Sequence, residues 1–206
     1  MDAIPLSKIA EPIRSIRDHF ERRQRIDDAT GRELRHVLRE LDLATPGGAT
    51  VQGSGHSVIR HLEPALARRP GQLTDVIDAF RPFFAGLPWR YSYASRADAP
   101  GLELNMGWAE LVGPVAPFRS DTVCLGFTLI GPRINYPLHW HPAVEVYLVI
   151  NGTAIWTAGQ QSARRAPGEY ILHPSKVLHA MRTEEEPLLA VYTWSGDVNT
   201  LSAYGD

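Results

Sequence analysis

Apolar positions early in the chain recur at helical spacing. Ile9, Ile13, Ile16 and Phe20 form one stripe with arginines on the other face, which predicts an amphipathic helix starting near Pro5 or Ser7. A second stripe of Leu34, Val37, Leu38 and Leu41 predicts a helix beginning near Asp28 or Thr30 and ending before Thr45-Pro46-Gly47-Gly48. Val58, Ile59, Leu62 and Leu66 predict a third helical stretch over 56–67. A fourth is expected over 73–84, stopped by Pro82 or Gly86.

After Pro88 the pattern changes. Trp89-Arg90-Tyr91-Ser92-Tyr93 alternates as an edge strand would. Short apolar runs then follow, punctuated by Gly, Pro and Asn: 102–111, 122–130, 144–150, 153–158, 170–173 and 188–194. Short strands at this spacing predict a sandwich or barrel. The expected organisation is a helical region over residues 1–88 packed on a β-barrel over residues 89–206.

Composition narrows the function. The 206 residues carry a formal net charge of -2, which gives no basic face for nucleic acid or an anionic membrane. No apolar run is long enough to cross a bilayer. The first residues lack the pattern of a signal peptide, so a cytoplasmic protein, monomeric or homodimeric, is expected. Cys124 is the one cysteine; it excludes an intrachain disulfide and a thiolate cluster, and reads as a small core residue. Arg164 and Arg165 read as a solvated turn. Glu184 to Glu186 read as an acidic turn, and His19, His36, His56 and His61 as structural.

The chemistry is concentrated in Tyr136-Pro137-Leu138-His139-Trp140-His141-Pro142-Ala143-Val144-Glu145-Val146-Tyr147. On one strand His139, His141, Glu145 and Tyr147, all odd-numbered, would share a face. Burying two imidazoles and a carboxylate unpaired is costly, and a divalent cation removes the cost. The donor set suits zinc, iron, manganese, nickel or cobalt. A fourth ligand is expected from the segment 167–179, which holds His173 and His179.

These motifs resemble the cupin superfamily. His-x-His, then a glutamate four residues on and a glycine seven further, are matched by His139, His141, Glu145 and Gly152. Pro167, Gly168, Pro174 and His179 match the second motif. The resemblance implies a mainly β, jelly-roll barrel (a double-stranded β-helix) with His179 as a ligand. Tyr136, Tyr147 and the run Tyr192-Thr193-Trp194-Ser195-Gly196-Asp197 extend the resemblance to the dimethylsulfoniopropionate (DMSP) lyases, which eliminate dimethyl sulfide from a small sulfonium carboxylate to leave acrylate. It implies a metal held by His139, His141, Glu145 and His179, and a tyrosine base, Tyr147 or Tyr136. A sulfonium cation is recognised by aromatic faces, so Trp194, Tyr192 and Trp140 are the expected substrate contacts. The same ligands also suit a dioxygenase or an isomerase acting on a small carboxylate, or a non-catalytic sensor.

Overall fold

A computed structural model describes residues 3–68 and 70–205. The helical region holds α1 (Ser7–Arg23), α2 (Ala29–Asp42), α3 (Leu62–Leu66) and α4 (Thr74–Phe80). Asp28 caps α2, its Oδ1 accepting from the Gly31 amide at 2.7 Å, so the helix starts where an acceptor meets its free amides. The expected third helix is divided: Ser57–His61 is 3-10, and α3 carries only the next turn. The fourth ends earlier than expected, at Phe80.

Nine strands of four or more residues follow among the described residues: β1 (Met106–Gly113), β2 (Val123–Ile130), β3 (Asn135–Trp140), β4 (Val144–Asn151), β5 (Ala154–Ala158), β6 (Gln161–Arg165), β7 (Tyr170–His173), β8 (His179–Thr183) and β9 (Leu188–Ser195). One sheet has the order β7-β4-β9-β2-β1, extended past β1 by Phe118–Arg119 and Thr45–Pro46. The other has the order β6-β5-β8-β3, closed at the far edge by Ala203–Tyr204. From β3 onward the chain crosses repeatedly between the sheets, and the pairings among the nine strands are antiparallel. The fold is the mainly β jelly-roll implied by the cupin resemblance, with helices ahead of it.

Several local expectations are corrected. The run 102–111 is not one strand: Leu102–Asn105 makes a helical turn before β1. Arg164 and Arg165 lie on β6, whose residues are nearly all exposed, so no alternation marked it as a strand. The edge strand expected over 89–93 covers only Trp89–Arg90.

Strand parity sorts the core into two clusters. Val146, Leu148 and Ile150 of β4, Leu125, Phe127 and Leu129 of β2, and Leu189 and Val191 of β9 face the helices and pack with Phe20, Leu34, Phe80 and Phe84. Phe127 meets Phe80 and Phe84 edge-on, with centroids at 4.8 and 4.9 Å. The alternate residues, Tyr147, Val149, Ala190 and Tyr192, point between the sheets with Tyr136, Trp156 and Met181. The far end of β4 is tied to the helical region. Asn151 Nδ2 donates to the carbonyls of Ala65 and Arg68 at 2.6 and 2.7 Å. Gly152 follows with φ +79°, and a Cβ there would approach the Pro187 carbonyl oxygen to 2.0 Å, so this turn admits only glycine.

Candidate metal centre and active site

The segment 136–147 is two strands, not one. β3 ends at Trp140, His141-Pro142-Ala143 turns the chain, and Glu145 and Tyr147 lie on β4 in the opposite sheet. Pro142 has no amide hydrogen to extend a ladder, and Ser175 and Lys176 bond the carbonyls of Pro142 and His141 at 2.6 and 2.9 Å. His141 therefore meets Glu145 across the space between the sheets, with His139 beside His179. Pairing fixes each neighbour: His139 lies opposite His179, while Glu145 lies between His173 on β7 and Trp194 on β9.

Backbone carbonyls set the histidine tautomers. Nδ1 of His139, His141 and His179 lies 2.8, 3.0 and 2.9 Å from the carbonyls of Pro137, Ala143 and Val177. A carbonyl only accepts, so Nδ1 carries the proton and Nε2 of each neutral ring offers a lone pair. Nε2 of His141 and of His179 lie 3.2 and 3.4 Å from Glu145 Oε2, and the ligand atoms of these three residues fall within 4.8 Å of one another. All three are buried, and His179 Nε2 has no hydrogen-bond partner. Lone pairs converging in a buried space require a cation or an added proton between them. The chemistry of the donors and the orphaned nitrogen both fit a divalent metal ion. His139 lies outside that trio. Its ring packs against His179 at 4.0 Å and stacks on Tyr136 at 3.9 Å.

Glu145 is held at both oxygens. Trp194 Nε1 donates to Oε1 at 2.8 Å and His173 Nδ1 donates to Oε2 at 2.9 Å. Burial opposes its charge, but the surrounding histidines, His141 foremost, outweigh burial and hold the carboxyl well below the usual carboxylate range. Burial, reinforced by His179, keeps His139 well below the usual imidazole range. Burial also pulls His173 down to about 4, against the opposing pull of Glu145. Both are neutral rings at pH 7.

A cavity of about 510 Å³ opens beside this centre, walled by Tyr93, Trp108, Tyr136, Glu145, Tyr147 and Trp194. The Tyr136 hydroxyl donates to the Tyr93 hydroxyl at 2.5 Å. Tyr136 faces inward with His139 despite its even number because β3 is irregular: three steps from 136 to 139 pair with two from 181 to 179. Pro137 lies within that interval, and the extra residue resets the face. The Tyr147 ring packs on Trp156 at 5.0 Å and on His173 at 5.8 Å. Burial and the Glu145 charge push its phenol well above the usual value, and burial does the same to Tyr136. The Trp194 ring lies on His141 at 4.2 Å. Tyr192 also lines the cavity and lies 3.4 Å from Glu110 Oε2. Trp140 pairs with Ala203 and is not among the cavity's lining residues.

Three residues of this region have surroundings that their sequence positions did not show. Tyr93 stood in an apparent edge strand. Trp156 was one aromatic among several. His173 was one of two histidines from which a fourth ligand was expected; it is buried, and its ring bonds Glu145 Oε2. The signal that could have found it is strand pairing, since two residues 28 apart become direct neighbours only once β7 is laid against β4.

Comparison with known proteins follows the same direction. Residues 30–190 match the family profile described as dimethylsulfoniopropionate lyase. The chain is 34% identical over 125 residues to the dimethylsulfoniopropionate lyase DddQ of Ruegeria pomeroyi, covering 60% of this chain. It is 31% identical over 172 residues to the putative dimethylsulfoniopropionate lyase DddL of Cereibacter sphaeroides, covering 82% of this chain. The matched segments span 62% of the length of each of these relatives. A chain from the crystal structures of the DMSP lyases RdDddP and RnDddQII shares the fold with a TM-score of 0.82 at 23% identity, over 97% of this chain and 98% of that one. The crystal structure of DddQ from Ruegeria pomeroyi gives a TM-score of 0.67 at 28% identity, over 79% and 82% of the two chains. No helix among the described residues is long and apolar enough to cross a membrane.

Proposed function

The chain belongs to the dimethylsulfoniopropionate lyase family, and from that premise we propose that it is a metal-dependent carbon–sulfur lyase that converts dimethylsulfoniopropionate to dimethyl sulfide and acrylate with a tyrosine as base. The observation that carries this reading is the convergence of three buried lone-pair donors, His141, Glu145 and His179, beside a cavity whose walls include Tyr136 and Tyr147. Those three residues hold the ion, with His139 as the fourth candidate. Zinc, iron, manganese, nickel and cobalt all suit the donor set. A bound divalent ion supplies positive charge that polarises a substrate carboxylate and favours a phenolate nearby.

The protein side of the reaction is a proton transfer. A phenolate of Tyr136 or Tyr147 removes a proton from the carbon next to the substrate carboxylate. The electron pair of that C–H bond becomes the new carbon–carbon double bond, and the next carbon releases dimethyl sulfide with the electrons of its C–S bond. The tyrosine ends as a neutral phenol, acrylate remains, and the sulfonium charge is gone. Tyr136 already directs its hydroxyl at Tyr93, which can stabilise an oxyanion or pass a proton outward. The faces of Trp194 and Tyr192 suit a sulfonium better than hydrogen-bond donors do, because a trialkylsulfonium has no hydrogen to give.

Gas chromatography of the headspace over purified protein and dimethylsulfoniopropionate, with metal content measured on the same preparation, tests the proposal. Dimethyl sulfide at a rate that follows metal occupancy is the expected result. Fully loaded protein that releases no gas above background would refute it.

A further inference from the structure

Glu145 is the carboxylate in the trio, and its Oε2 is bonded by His173, which is not among the residues lining the cavity. His173 is fully buried, with 0% exposure, and both ring nitrogens are engaged. Nε2 lies 3.1 Å from Trp156 Nε1, and Nδ1 lies 2.9 Å from Glu145 Oε2. An indole N–H only donates. It therefore requires a lone pair on His173 Nε2, and a neutral imidazole with a lone pair there carries its single proton on Nδ1. That proton points at Glu145. Were the other tautomer present, an N–H would face an N–H at one end and a lone pair would face a carboxylate at the other, both inside a dry core.

We propose that Trp156 and His173 are positioning residues: the indole fixes the His173 tautomer, and His173 in turn fixes Glu145 Oε2 so that its remaining lone pair faces Nε2 of His141 and His179. This rests on the reading of that trio as a metal site. Trp156 stands on β5 and His173 on β7, in opposite sheets, so the relay also ties the two walls of the barrel at the depth of the site. Trp194 holds the other oxygen, Oε1, from the cavity side. The carboxylate thus has one N–H donor per oxygen and cannot rotate without losing both. Outer hydrogen bonds of this kind commonly govern metal affinity about 10- to 100-fold.

Two measurements test it. Nitrogen-15 NMR of histidine-labelled protein, free of metal and substrate, is expected to show His173 as a neutral ring protonated on Nδ1, and to show loss of that single tautomer in Trp156→Phe. An imidazolium, or a proton on Nε2, in the parent protein at pH 7 overturns the relay. Chelator competition with cobalt(II), followed by its visible absorption, is expected to show about 10- to 100-fold weaker binding in His173→Ala. His173→Asn, which retains an N–H near the Nδ1 position, is expected to recover most of the affinity. A folded His173→Ala protein with parental cobalt affinity and spectrum overturns it too. A parent protein that binds metal but releases no dimethyl sulfide counts against the proposed function alone, because neither the tautomer nor the cobalt affinity is read from turnover; one that binds no metal overturns both.

Discussion

The two faces of the sheet that carries β4, β9 and β2 are made by the same strands and do different work. Toward the helices each strand presents aliphatic residues and Phe127, the interlocking surface of an ordinary core. Toward the other sheet, one residue along, the same strands present Glu145, Tyr147, Tyr192 and Trp194. Hydrophobic burial on one face stabilises an arrangement on the other that is costly by itself: a buried carboxylate, four buried histidines and phenols pushed above their usual range. Rigidity is the contribution of the outer face, and chemistry that of the inner one.

Substitutions on the two faces should therefore separate stability from activity. The largest effect is expected from Glu145→Ala on the inner face: metal content lost in elemental analysis and turnover reduced about 10³-fold or more, since a metal site supplies several kcal/mol to the transition state. Next come Tyr136→Phe and Tyr147→Phe. At least one is expected to lower kcat by about 10²- to 10⁴-fold with metal retained; parental rates in both would remove the tyrosine base. Burial raises both phenols, so the share of phenolate grows with pH, and kcat should climb as pH rises into the mildly alkaline range. A rate that falls there would contradict a phenolate base. On the outer face Phe127→Ala is expected to cost about 3–5 kcal/mol in urea unfolding while the activity of the folded fraction stays near parental. The smallest effect belongs to the helix cap. The Arg23 hydrogen bond, then the Gly31 amide, hold Asp28 down to about 2. A depressed carboxyl stabilises above its unfolded pKa, and that stability is lost as pH falls from about 4 toward about 2. Asp28→Ala should lower Tm at pH 7, and the difference should shrink on acidification.

The sequence told most where periodicity was strong. The stripes of α1 and α2 and the apolar runs of β2, β4, β7 and β9 were visible because each buries a regular face. The exposed strand β6 was not, since nothing in Gln161–Arg165 alternates. Parity gave Tyr147 its face within β4, but it treated 136–147 as one strand, and Pro137 and Pro142 each broke that assumption. The roles of His173, Trp156 and Tyr93 depend on which strands pair and which walls oppose, and a linear spacing does not encode that.

Asn151 fixes one end of β4 to the helices, while Glu145 stands near the other end, six residues away, or about 20 Å along an extended strand. The end of α3 clamped there cannot swing aside as a flap without breaking two hydrogen bonds. The clamping residues stand outside the cavity lining, whose wall includes the rings of Tyr93 and Tyr204 with centroids 5.0 Å apart.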